Sequence, residues 1–404
     1  MKNILNTLAG VLLLVGCQNE LYIDPQEEFG SAQGSYMASK GAVQVFVEEG
    51  KDYFVKDVRI GLSLKESKEN NITLQIADQS QLDEYNKKNS TAYVMLPKEM
   101  YEMPSTLDFK PNMAIQILPI NLKNIKFSTQ GDYALPLRIT GGTTTAIPGE
   151  AESILILEQL TRTKVLKMPF VEDDEGGENE LGSDKMFPED FTVPQWTMEM
   201  MIKRSKYDKN NMAIAGTKRV NNSDPNDEIY TRFGDVTIDP NQLQIKTGSS
   251  QIDVSSDNFA AKPDVWYMIS FVYDGKNTLI YINGEQVAEQ QIRTGAYGLT
   301  GFWLSGKNEF IREVRFWSVA RNAKQIKENV WKKVNPDDKG LLLYYPCNGK
   351  KRDFATGQIT DDETKLWNWA SSYSGDKEAL NLELKETSSF DDNNGELYTF
   401  PLMD

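Results

Sequence analysis

The sequence predicts an all-β protein built as two β-sandwiches in succession. Three observations carry this. The chain has 404 residues, more than a single hydrophobic core usually serves. Short runs of alternating apolar residues recur from about 42 to 160 and again from 165 onward, at the spacing of sandwich strands. The stretch from Asp264 to Val287 reads as an antiparallel meander. In it Tyr267, Ile269, Phe271 and Tyr273 point one way while Met268, Ser270 and Val272 point the other. Asp274-Gly275-Lys276-Asn277 supplies the first turn. Asn283-Gly284 supplies a two-residue type I′ turn, whose central positions need positive φ. One apolar face of such a meander requires a second sheet to cover it.

Composition removes whole classes of function. The formal net charge of -15 argues against nucleic acid, whose phosphates need a basic stripe. The chain has no histidine, which excludes a Ser-His-Asp triad, a Cys-His dyad and any His-ligated metal centre. Its two cysteines, Cys17 and Cys347, build neither a disulfide framework nor a Cys-rich zinc site. A carboxylate pair or a Ser-Lys arrangement is the enzyme chemistry that survives.

Residues 1–16 form a short export signal, with Lys2 followed by the apolar run Val11 to Val15, too short for a stable membrane span. The run ends Leu14-Val15-Gly16-Cys17, which resembles the lipobox of bacterial lipoproteins. That resemblance implies a diacylated N-terminal Cys17, hence outer-membrane lipid as a partner and a surface-exposed location. Acyl chains anchor because each buried CH₂ contributes about 0.8 kcal/mol. Residues 17–40 are polar, with Gly and Ser and no periodicity, and read as a lipidated tether.

Residues 41–160 read as the first sandwich. Val43/Val45/Val47, Ile72/Leu74/Ile76, Ile115/Ile117 and Leu135/Leu137/Ile139 each place apolar side chains on one face. A helix interrupts them, with Asp78 or Ser80 as N-cap and Leu82 and Tyr85 three apart. Tyr85-Asn86 through Tyr93, Leu96-Pro97, Met103-Pro104 and Tyr133 to Ile139 resemble an Ig-like domain of unknown function found at the N-terminus of glycan-utilisation lipoproteins. The resemblance implies a spacer. Residues 161–190 join the halves and include the acidic loop Glu172 to Glu178. It reads either as a calcium site, since carboxylates suit a hard cation, or as a solvated loop. No other cofactor is expected.

Residues 165–404 read as the second sandwich. Trp266-Tyr267, Tyr273-Asp274-Gly275 and Tyr281 to Glu285 resemble the laminin-G-like form of the concanavalin A-like lectin/glucanase jelly roll. Trp196 to Met200 and Ile311 to Trp317 resemble its early and late strands, with a short helix expected at Asn322 to Val330. The fold hosts lectins, hydrolases and adhesion modules alike. The retaining-glucanase pattern Glu-x-Asp-x-x-Glu is absent, since Glu172-x-Asp174 comes nearest and Gly177 fills its last position. Gly301 to Lys307 has the spacing of a phosphate loop, but Asn308 stands where a Ser or Thr belongs and no long helix is expected after it.

Candidate carbohydrate contacts are aromatic, because a pyranose offers an apolar C–H face to an indole or phenol. Phe302 and Leu304 should face the core, turning Trp303 outward as a stacking platform. Trp367 and Trp369 share one face at strand spacing, with Asn368 between them able to bond hydroxyls. Tyr207, in a long polar loop, and Tyr297, in a glycine-bearing turn, are expected to be exposed. Packing accounts for each as well. Trp266 and Trp317 read as core. The function expected is capture of glycan by a surface lipoprotein beside a glycan-transporter complex. Adhesion to a protein partner, and less so glycoside hydrolysis, are the alternatives.

Overall fold

The computed structural model describes residues 33–89, 91–127, 132–169, 179–218 and 228–402. Cys17, the export signal, most of the tether and the acidic loop from Glu172 to Glu178 lie outside them. The chain divides into two units, Met1–Glu158 and Gln159–Asp404.

The first unit is a β-sandwich. One layer runs Ala42–Glu48, Glu152–Thr163, Tyr133–Gly142, Asn70–Ile76 and Thr106–Phe109 in spatial order. Opposite it stand smaller sheets that include Gly34–Met37, Arg59–Leu62, Tyr53–Val55 and Ile120–Leu122. The alternation in Val43, Val45 and Val47 explains the first strand, since all three enter the core beside Ile72, Leu74, Leu135 and Leu137. The strand Gly34–Met37 begins the sandwich inside the stretch read as tether, because Met37 is buried and Ser35 pairs with Leu62. Ile115 and Ile117 do not enter the core. They occupy an edge strand and are 52% and 41% exposed. The helix is Gln79–Asn89, capped by Asp78, whose carboxylate accepts from the Gln81 N–H at 3.3 Å. It buries Leu82 against Ala134, Ile154 and Ile156.

The second unit packs two antiparallel sheets face to face. Trp266–Tyr273 and Trp196–Lys203 lie at the centre of the larger sheet. They are flanked by Thr278–Ile282 and Glu285–Gln290 on one side and by Phe310–Trp317 on the other. The expected meander forms, and Asn283 (φ 49°) and Gly284 (φ 85°) make its tight turn. The smaller sheet runs Leu181–Ser183, Gly301–Leu304, Met212–Lys218, Ile229–Asp235, Ile238–Thr247 and Ser250–Asp253. Trp196, Met198, Met200 and Ile202 from one sheet meet Phe233, Leu243, Ile245, Phe302 and Leu304 from the other. Each such side chain contributes about 1.5–3 kcal/mol on burial, so this interlayer is what holds the unit together.

The outer face of the larger sheet is sealed. The helix Ala323–Glu328, capped by Asn322 through a reciprocal box with Gln325, lies over it with Ile326 buried against Val272 and Tyr281. Trp317, Leu341, Tyr344, Trp367 and Trp369 form a second small core on this side. Trp266 and Trp317 are buried, as expected, but in these outer clusters rather than between the sheets. Beneath the cover sits an ionic cluster. The Arg315 guanidinium reaches Glu313 at 2.8 Å and Glu199 at 3.6 Å, and Arg312 reaches Glu313 at 3.0 Å. Arg321 and the Trp317 indole N–H also reach Glu199, at 3.3 and 2.8 Å. All of these side chains are buried. The two carboxylates share a guanidinium and have no solvent access, so they cannot receive a glycosidic bond and a water as a hydrolytic pair must.

Candidate functional site

The outer face of the smaller sheet carries a different set of side chains. In the smaller sheet, core-facing Phe302, Leu304, Thr231, Phe233 and Ile245 alternate with residues that point outward. The pairing register lines these outward residues in two rows. One row is Gly182, Trp303, Gly216, Tyr230, Lys246 and Gln251. The next is Ala213, Arg232, Gln244 and Asp253.

The glycines in the first row make space for the indole. A Cβ on Gly216 would stand 2.5 Å from Trp303 Cζ2 and 2.4 Å from the Ile229 carbonyl. Trp303 therefore lies across the bare backbone of Gly216, with Tyr230 beside it at 5.5 Å between centroids. The half-buried Tyr230 phenol is held above its ordinary pKa by burial, so it remains neutral and donates to Asn211 Oδ1 at 3.2 Å.

The second row is a continuous polar network. Arg232 donates from Nε to Gln244 Oε1 at 2.7 Å, from Nη1 to Asn211 Oδ1 at 2.8 Å, and from Nη2 to Asp235. Gln244 donates onward to Asp253 at 2.6 Å and Asp235 at 3.2 Å, and Gln251 donates to Asp253 at 3.1 Å. Chiefly the backbone N–H of Val236 holds the Asp235 carboxyl below the usual carboxylate range. Val236, at the tip of the same hairpin, is 93% exposed. Lys218 at the other margin is paired with Asp184 at 3.3 Å and Glu180 at 3.7 Å. The face thus carries fixed planar donors and acceptors next to aromatic rings.

The residues singled out from sequence are dispersed. Trp303 is on the outward row, as expected, but only 5% exposed. Trp367 and Trp369 are buried in the small outer core, their indole N–H groups donating to the carbonyls of Asp362 and Lys350 at 3.1 and 3.0 Å. Asn368 works as a backbone clasp, accepting from the Tyr344 N–H at 2.8 Å. Tyr297 is not an exposed turn residue. It is 1% exposed, wedged edge-on between Trp196 and Tyr273 beneath the Arg293 guanidinium at 4.0 Å. Tyr207 is half-buried against Phe233, its hydroxyl pushed up to about 12 by burial. The buried Arg204 anchors its loop by donating to Asn308 Oδ1 and the Met212 and Ala213 carbonyls. Cys347 is a buried free thiol. Among the described residues no group of three or more Cys, Asp or Glu could hold a metal ion.

Comparison with known proteins agrees with this architecture. Residues 178–327 match the model of the concanavalin A-like lectin/glucanases superfamily, and residues 17–145 match a model described as an N-terminal domain. The second unit is a concanavalin A-like, laminin-G-like jelly roll and the first an Ig-like sandwich. Among solved structures, a Bacteroides ovatus protein proposed to bind carbohydrate is 21% identical. The match covers 89% of this chain and 97% of that one, with a TM-score of 0.55. An SAP-like pentraxin from Limulus polyphemus is 15% identical over 41% of this chain and 81% of its own, with a TM-score of 0.32. Domain 4 of the extracellular arabinanase AbnA from Geobacillus stearothermophilus, solved with arabinotriose, is 16% identical. It covers 35% of this chain and 69% of its own, with a TM-score of 0.29. No curated protein matches the sequence.

Proposed function

We propose that the protein is a cell-surface glycan-binding lipoprotein, held in the outer membrane through Cys17, that captures carbohydrate for a neighbouring uptake system. The observation that carries the binding role is the polar network on the outer face of the smaller sheet, in which Asn211 and Asp253 are exposed and Tyr230 and Arg232 half-buried. This Tyr230–Asn211–Arg232–Gln244–Asp253 network stands beside Trp303, whereas the opposite outer face is sealed. Hydroxyl-rich ligands need both donors and acceptors held in fixed geometry, and the mutual bonds of this network hold its exposed members, Asn211 and Asp253, in place. The likeness to a protein proposed to bind carbohydrate points the same way. Anchoring and export are supported by the sequence Leu14-Val15-Gly16-Cys17.

A glycan array with residues 18–404 tests the binding role. Arg232→Ala, Asp253→Asn and Tyr230→Ala are each expected to weaken binding at least tenfold, about 1.4 kcal/mol, with the thermal midpoint little changed. Binding of no glycan, or equal binding by all three variants, would remove the proposal. Retention of a protein partner instead would point to adhesion. Anchoring is tested separately: Cys17→Ala should release the protein from the membrane fraction, and an unchanged distribution would exclude the lipid.

A further inference from the structure

A cavity lined by none of the residues of that network lies in the same unit. The strand Tyr398–Phe400 pairs antiparallel with Thr161 to Thr163, and beside this pairing is a cavity of about 580 Å³. Its polar walls are Arg162, Asn393, Glu396 and Thr399, and Leu397 and Tyr398 supply apolar surface. The size suits a mono- or disaccharide. We propose that this cavity is a second binding site, for a neutral sugar.

The hydrogen-bond inventory supports it. Among the described residues, Arg162 spends only Nη2, donated to the Glu396 carbonyl at 2.9 Å. The side chains of Asn393, Glu396 and Thr399 make no hydrogen bond to any described residue, so a donor-rich guanidinium and an acceptor-only carboxylate share one cavity unspent. Adjacent hydroxyls on a pyranose complement that pair, because one can accept from the guanidinium while the other donates to the carboxylate. A charged ligand would meet a like charge from one of the two. The backbone that carries these side chains has a defined course. The phenol of Tyr398 donates to Asp391, and the loop carries Asn393, Asn394 and Leu397 at φ of 53°, 59° and 60°. Three non-glycine residues in the left-handed region cost energy that the surrounding contacts must offset, which argues for a defined loop shape.

The test uses the full chain and saturation-transfer NMR with glucose, galactose, mannose, xylose, arabinose, N-acetylglucosamine and glucuronate. In an Arg232→Ala background at least one neutral sugar is expected to retain its signal. Adding Arg162→Ala or Glu396→Gln should then reduce that signal at least fivefold. Both residues are exposed, so the fold should survive, and near-ultraviolet circular dichroism checks this. No signal in the Arg232→Ala background, or one indifferent to both added substitutions, would overturn the second site. Preferential binding of glucuronate through Arg162 would overturn the neutral class. If Arg232→Ala changes nothing while Arg162→Ala abolishes all binding, the sheet face fails and the cavity stands.

Discussion

Glu313 shows what a single buried charge does in this protein. Desolvation alone would push its carboxyl upward, but Arg312 and Arg315 outweigh that and hold it below the ordinary 4.5. Because the folded value is depressed, its contribution to stability is complete above about pH 4.5 and is lost as pH falls through the folded value. Unfolding midpoints in urea should therefore drop steeply on acidification below that point, and Glu313→Gln should flatten the slope. At neutral pH the same substitution should cost about 3–5 kcal/mol, because it leaves Arg312 buried without a carboxylate partner and Arg315 with Glu199 alone. A loss under 1 kcal/mol would show the cluster to be dispensable. Nothing in the sequence announced this network. Glu199 and Arg315 are alternate residues in apolar strands, a pattern that ordinarily means a solvated face. They are buried because a later segment of chain covers them.

At the level of strands and turns, far more was legible. The meander from Trp266 and the Asn283-Gly284 turn follow from local chemistry, and the short helix after Asn322 from the family resemblance, and all are present. The direction of Trp303 also followed from alternation. Its neighbours did not, because Gly216 and Tyr230 arrive by pairing of strands distant in sequence. The polar face was missed for the same reason, although Tyr230 and Arg232 alternate with Ile229, Thr231 and Phe233, a pattern that could have marked it. Gly216 is the element on which the smaller sheet's outer surface turns. Gly216→Ala is expected to displace the indole and cost about 1–3 kcal/mol, seen as a red-shifted tryptophan emission and a lower thermal midpoint. An unmoved spectrum would mean that the backbone, not the ring, had yielded.

For the whole molecule, the two-sandwich architecture was readable from length and strand spacing, while the first strand and the edge isoleucines were misplaced. Where a strand sits in a sheet depends on partners that periodicity does not encode. The second unit draws on its last described strand as much as on its first. Phe400 packs on Trp266 at 5.3 Å, and the Arg312 guanidinium lies 4.0 Å above its ring. A chain stopped after Glu396 should therefore yield a protease-resistant first unit and a degraded second one, by limited proteolysis and mass spectrometry. Two intact fragments would contradict this.

The pairing of Thr161–Thr163 with Tyr398–Phe400 has one more outcome. The second unit has its first and last described strands side by side. It could be spliced into a surface loop of an unrelated host without forcing that loop's two ends apart.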